Sequence, residues 1–261
     1  MKESLAYIHP DAKIGQNVTI EPFATIYNDV VIGDGTYISS NVTILPGTRI
    51  GKNCKIHSGA VLGGDPQDLK YKGEYTTVEI GDNNTIREFV TINRGTSAAG
   101  KTVVGNNCLI MAYSHIAHDC VVDNHVILAN STQLAGEVHV FDWAILGGGT
   151  LVHQFCHIGE HVMVSGGSRV GKDIPPFVKA GREPLSFVGV NSIGLRRRQF
   201  SNDQIREIQD IYRFLYQKGY NNKQALEIIA TEVPQSEERD MIMEFVKNSH
   251  RGVIKGYYSE K

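Results

Sequence analysis

IHPDAKIGQNVTIEPFATIYNDVVIGDGTYISSNVTILPGTRIGKNCKIHSGAVL, residues 8–62, returns an aliphatic side chain at every sixth position: Ile8, Ile14, Ile20, Ile26, Ile32, Ile38, Ile44, Ile50, Ile56 and Leu62. The same phase resumes at Ile80, Ile86 and Ile92. It then runs from Val104 through Ile110, Ile116, Val122, Leu128, Leu134, Val140, Leu146, Val152 and Ile158 to Val164 and Val170. Only Asp68, Glu74 and Ala98 break the column. Neither an amphipathic helix nor an alternating strand repeats on six, so the pattern requires a self-similar solenoid.

A second column, four residues after each aliphatic, is small or β-branched: Ala12, Val18, Ala24, Val30, Thr36, Val42, Thr48, Cys54 and Ala60, and later Cys108, Ser114, Cys120, Val126, Thr132, Val138, Ala144, Thr150, Cys156 and Val162. Such residues share a narrow interior with the larger aliphatics. All four cysteines fall in this column, so they read as small core residues and not as redox or metal groups. Gly15-Gln16-Asn17, Gly33-Asp34-Gly35, Gly51-Lys52-Asn53 and Gly81-Asp82-Asn83 supply residues that tolerate the positive φ of corners. Three hexads make a triangular coil of about 18 residues, and stacked coils satisfy one another's backbone at a spacing of about 4.8 Å.

The remaining composition bounds the function. The chain has 261 residues, 27 of them glycine, and a net charge of −2, so nothing draws it to nucleic acid or to an anionic membrane. No apolar run approaches a bilayer span, and Met1–Pro10 lacks the apolar core of a secretory signal, which predicts a cytoplasmic protein without stable membrane insertion. The one dense basic cluster is Arg196-Arg197-Arg198.

Two stretches put polar residues into the core column and must loop out, near 65–77 and 95–103; Asp68 and Lys70, on the first, can accept from and donate to a polar ligand. The solenoid signal stops near Asp173-Ile174-Pro175-Pro176, where paired prolines block continuation. This predicts a β-helical domain over 1–182 and, over 183–261, a connector with an α-helical domain. Ser201-Asn202-Asp203-Gln204 is a capping-box pattern opening a helix with Ile205, Ile208, Ile211 and Leu215 on one face and Gly219 as its stop. Two more helices are expected over 222–233 and 236–248.

Inside the repeat, His115-Ile116-Ala117-His118-Asp119 sets two imidazoles beside a carboxylate, a combination suited to proton transfer near neutral pH. Two packed or surface histidines without chemistry are the alternative. Stepping one coil from His118 reaches Gly136, and a second reaches Gln154, so the three should stand in one column. A glycine beside a histidine exposes a backbone N–H to an oxyanion; it also eases a corner.

These features resemble the hexapeptide-repeat acyltransferases, whose fold is a left-handed parallel β-helix, mainly β, and whose members form homotrimers. His115–Cys120, Leu134-Ala135-Gly136, His153-Gln154-Phe155-Cys156, Gln67–Tyr71, and Gly189-Val190-Asn191 followed by Leu195–Arg198 are similar in particular to the UDP-N-acetylglucosamine O-acyltransferases of lipid A biosynthesis. The resemblance spans nearly the whole chain. It implies transfer of an (R)-3-hydroxyacyl group from acyl carrier protein to the 3-hydroxyl of UDP-N-acetylglucosamine, with no cofactor and no metal. By resemblance His118 is the general base, Asp119 its orienting carboxylate and Gly136 the oxyanion donor. Asp68, Lys70, His115, His153, Gln154, Asn191, Arg197 and Arg198 map to substrate contacts, in a site between neighbouring subunits. Gly166 falls where members set acyl length. The chain departs from the better-known pattern at Asn93 and Glu137, where those members carry His, and at Ile193, where they carry Glu.

Three alternatives have distinct requirements. The N-acyltransferase of the same pathway has a uridine-binding domain ahead of its repeats, whereas here the repeat begins at Ile8. A zinc enzyme of the carbonic-anhydrase type needs three converging imidazoles. A purely structural trimer leaves the His118, Asp119 and Gly136 arrangement without a purpose.

Overall fold

The structure is a computed structural model that describes residues 5–256. Short strands stack into three sheets of nine, eight and eleven strands, parallel throughout except for one antiparallel pair in the third, which form the three faces of a prism. In the first coils each residue pairs with the one a coil later, Tyr7 with Thr25 and Ile8 with Ile26, so every member of the aliphatic column lands on its predecessor. The coils wind left-handed, against the usual preference of parallel crossovers.

The hexad column is the core. Ile26, Ile44, Leu62, Ile92, Ile116 and Leu134 on one face are fully buried, as are Val30, Val42, Ala60 and Val90 of the second column. Ile8 and Ile14, in the first described coil, remain partly exposed, since among the described residues no earlier coil covers them. The four cysteines are buried and unbridged. Burial pushes Cys108 and Cys156 up to about 11 and Cys120 up to about 12, so their thiols stay protonated and inert near neutral pH.

The turn triplets divide their labour more finely than their composition predicts. Asn17, Gly35, Asn53 and Asn83 hold the positive φ. The leading glycines serve close stacking, since a Cβ on Gly33 would lie 2.6 Å from the Gly51 carbonyl carbon. The same left-handed corner is occupied elsewhere by Phe23, Phe89, Tyr113, Trp143 and Phe155, bulky residues that composition does not mark as turn formers.

Both excursions leave at the same edge, between the first and second faces, on successive coils. They are shorter than expected. Pairing holds to Gly64 and resumes at Thr77, and the second sheet strand starts at Lys101, so Thr77 and residues 101–103 belong to the sheet. The loops lengthen the coil locally: Val61 pairs with Thr91, and Thr91 with His115.

Pro175-Pro176 does not end the sheet. The coil shortens there, with Met163 pairing with Lys179, and Val178–Gly181 extends the third face before Ser186–Val190 returns antiparallel. The 182/183 boundary therefore falls inside a hydrogen-bonded hairpin, and the ends of the two expected domains lie outside the described residues. The connector also contains a short helix, α1 (Ser192–Arg197). The three expected helices follow as α2 (Asn202–Tyr216), with the Ser201/Gln204 capping box, α3 (Asn222–Glu232) and α4 (Glu237–Asn248). α2 buries Ile205, Ile208, Ile211 and Tyr212, and Phe187 of the hairpin stacks on Tyr212 at 5.2 Å. Asp173 ties the two parts together, accepting from the His157 N–H at 2.8 Å and from the Ser249 hydroxyl at 2.6 Å. Among the described residues no helix is long and apolar enough to cross a membrane.

Candidate active site

The coil after the two excursions carries His115-Ile116 on the first face and Val121-Val122 on the second, with His118 and Asp119 at the corner between them. The loops thus leave directly beneath this corner and wall it. Asp119 takes the left-handed conformation, φ 60°, which turns its carboxylate back toward the preceding coil. There Oδ1 accepts from the Thr96 N–H at 2.9 Å and the Ala99 N–H at 3.2 Å, and Oδ2 from the Thr96 hydroxyl at 2.6 Å. The Asp119 N–H donates to the Thr102 hydroxyl at 2.9 Å. Burial acts to raise the Asp119 carboxyl, but the Thr96 hydroxyl, the His118 ring and the two amides outweigh it and hold the group below its ordinary value. It is an anion at neutral pH.

His118 Nδ1 lies 2.8 Å from Asp119 Oδ2. A carboxylate only accepts, so Nδ1 carries the proton and Nε2 presents its lone pair outward. The open nitrogen faces Asp68 of the first excursion at 4.0 Å. Gly136 stands one coil on, and a Cβ there would lie 2.5 Å from His118 Cε1 and 2.6 Å from Nε2. Only glycine leaves room for the imidazole. The Gly136 N–H donates to no described residue. His115, on the adjacent strand, lies with Nδ1 2.7 Å from the Thr91 hydroxyl. Burial, opposed by a hydrogen bond with Thr91 and aided by nearby His118, holds His115 below its ordinary value and therefore neutral.

The corner thus assembles His118, Asp119, Gly136, Asp68 and His115. Lys70 sits exposed on the same loop, its N–H donating to Asp68 Oδ1 at 2.9 Å. His153 and Gln154 are exposed one coil beyond Gly136. The other expected contacts stand at other edges of the prism. Gly166 lies between the third and first faces, packed against Gly148. Asn191, Arg197 and Arg198 lie by the edge between the second and third faces, where Trp143 and His161 form the corners.

Two of these residues do more structural work than their sequence context suggests. Asn191 is buried as the N-cap of α1, accepting from the Gly194 N–H at 3.3 Å and donating to the His161 carbonyl at 2.9 Å. Arg198 donates to the Trp143 carbonyl at 3.0 Å and to His161 Nδ1 at 3.2 Å, with its guanidinium 5.1 Å from the Trp143 ring. The basic cluster lies mostly within α1, and of its three arginines only Arg196 and Arg197 are exposed. Thr91, Thr96 and Thr102, which orient the two histidines and the carboxylate, went unread in the sequence. Their only signal was that they lie in or beside the second excursion.

His161 gives a pH prediction. Burial first, and then the Arg198 charge, lowers it from 6.5 to about 4. Above 6.5 the neutral ring costs nothing. As pH falls from 6.5 toward 4 the unfolded chain takes up a proton that the folded chain refuses, so stability is lost over that window. His161→Phe is expected to make the fall of the thermal midpoint between pH 6.5 and 4 shallower than in the wild type; an unchanged slope would show that this ring is not the titrating group.

The family described as Udp N-acetylglucosamine O-acyltransferase, domain 2, matches residues 173–254, and the bacterial transferase hexapeptide matches 11–46, 29–64 and 101–136. The chain is 54% identical over 255 residues to the acyl-[acyl-carrier-protein]--UDP-N-acetylglucosamine O-acyltransferase of Trichlorobacter lovleyi, covering 96% of this chain and 98% of that one. It is 55% identical over 248 residues to the enzyme of the same name from Chlorobaculum parvum, covering 95% and 94%. The crystal structure of a UDP-N-acetylglucosamine acyltransferase from Bacteroides fragilis superposes with a TM-score of 0.96 at 54% identity, covering 98% of this chain and 100% of that one. A fold matched over nearly its whole length at this identity makes the chain a member of the acyl-[acyl-carrier-protein]--UDP-N-acetylglucosamine O-acyltransferase family, the hexapeptide-repeat acyltransferases.

Proposed function

We propose that the protein transfers an (R)-3-hydroxyacyl group from acyl carrier protein to the 3-hydroxyl of UDP-N-acetylglucosamine, the first step of lipid A biosynthesis, with His118 as general base. The observation that carries this reading is the His118 ring held at Nδ1 by Asp119 while Nε2 faces the gap beside Gly136. Nε2 takes the proton from the sugar 3-hydroxyl as its oxygen attacks the thioester carbonyl carbon. The carbonyl oxygen becomes an oxyanion, which the unpaired Gly136 N–H stabilises. Collapse breaks the carbon–sulfur bond, and the leaving thiolate takes the proton from the imidazolium, restoring His118. Asp119 keeps the ring in the reactive tautomer and stabilises its charged form. No step calls for a cofactor or a metal.

Asp68, Lys70 and His115 line the acceptor side of the corner, and His153 and Gln154 stand one coil beyond Gly136. Asn191, Arg197, Arg198 and Gly166 lie on other edges of the prism, so one chain cannot present them to its own His118. A homotrimer, in which one prism's His118 edge faces a neighbour, completes the site with Arg197 and Arg198 toward the nucleotide phosphates and Gly166 along the acyl chain. Donor and acceptor are both compatible with a cytoplasmic location.

The test is mass spectrometry of products formed from UDP-N-acetylglucosamine and a panel of acyl carrier proteins bearing 3-hydroxyacyl chains of different length. A nucleotide sugar heavier by one 3-hydroxyacyl group, bound as an ester at the 3-oxygen, is expected. Absence of product with every chain would overturn the reading.

A further inference from the structure

Asn93 is 7% exposed, its Oδ1 is buried without a partner, and its carboxamide makes no hydrogen bond to any described residue. A buried amide left unpaired in the folded chain is unfavourable, and whichever way the amide is turned an unpaired polar atom remains. The position gives it a purpose. Ile92 points into the core at 0% exposure, so by strand alternation Asn93 lies on the outer side of the first face. Pairing of Thr91 with His115 and Ile92 with Ile116 sets Asn93 one coil before Ala117, next to His118. Gly64, its partner on the preceding coil, keeps the space open: a Cβ there would lie 3.0 Å from Asn93 Nδ2.

We infer that Asn93 is a specificity-determining contact for the acceptor, its carboxamide exchanging hydrogen bonds with a ring hydroxyl of the bound sugar. This rests on the reaction proposed above. Gly136 stands one coil after His118 and Asn93 one coil before it. The oxyanion of the thioester therefore faces Gly136, and the hydroxyl-bearing partner occupies the opposite side, beside Asp68 and Asn93. An amide both donates and accepts, as a sugar hydroxyl does. Ligand binding supplies the hydrogen bonds that folding leaves unmade.

The test uses full-length N93A, steady-state kinetics, calorimetric titration with UDP-N-acetylglucosamine, and acceptor analogues each lacking one ring hydroxyl. The KM and dissociation constant for the acceptor are expected to rise roughly tenfold, as loss of one hydrogen bond to a neutral group gives. The KM for the acyl donor should stay within about twofold. One deoxy analogue should bind the wild type about as weakly as the parent acceptor binds N93A, and N93A should not distinguish the two. The thermal midpoint of N93A should equal or exceed that of the wild type, because no internal hydrogen bond is lost; N93V serves as a second variant with the same expectation. Unchanged acceptor binding, a rise confined to the donor KM, or a marked loss of stability in both variants would overturn the inference. Wild-type protein that binds the acceptor but forms no product would refute the proposed reaction while leaving this binding role to the titration, and wild-type protein that does not bind it would refute both.

Discussion

His118→Ala is expected to lower kcat roughly a hundred- to ten-thousand-fold, the range over which a positioned general base contributes, with circular dichroism and thermal midpoint close to those of the wild type. The side chain is 15% exposed at a corner and belongs to neither interior column, so its removal opens no core cavity. Asp119 loses one of its partners but keeps the Thr96 hydroxyl and the Thr96 and Ala99 amides, and so does not become an unpaired buried charge. Because the proposed base would act on the bound acceptor, kcat should carry the loss more than KM. Activity within a few-fold of wild type would remove His118 as the base.

Gly136→Ala should be nearly as damaging, through geometry alone. The added Cβ would sit 2.5 Å from His118 Cε1, closer than such contacts allow, and the imidazole is the part free to move. Displacement of a reacting group by about 1 Å costs on the order of a hundred-fold in rate. Gly136 does not use the left-handed region, so alanine adds no backbone strain and the fold should persist. Steady-state rates with the same acceptor and donor check this; a Gly136→Ala enzyme with kcat within twofold of wild type would mean that His118 and Gly136 do not act on the same reacting atoms.

Particular residues show why some of this was legible in the sequence. Ile116 and Leu134 meet the prism interior on successive coils, and a narrow interior accepts only aliphatic and small side chains, so the period of six is written directly in the chain. The same regularity places Gly136 over His118 without reference to any contact. Ser201 and Gln204 announce α2 because capping is a local interaction. The cage around Asp119 could not be read this way. Thr96 and Thr102 reach it only because the second excursion lengthens one coil, and loop length is set by what the loop packs against. Pro175 and Pro176 misled for a related reason: the coil shortens around them, and the following strand still finds its parallel neighbour.

The repeat, the cysteines as core, the helical tail and the column holding His118, Gly136 and Gln154 were determined by the sequence alone, because each follows from periodicity or from contacts between near neighbours. The tertiary structure decided which residues fix the charge and tautomer of that column, that Asn191 and Arg198 are bound up in the α1 corner, that Asn93 lies buried without a partner among the described residues, and that the residues proposed as substrate contacts are spread over three edges of one prism. Those are relations between segments distant in the chain, and they depend on the exact path of the loops between coils.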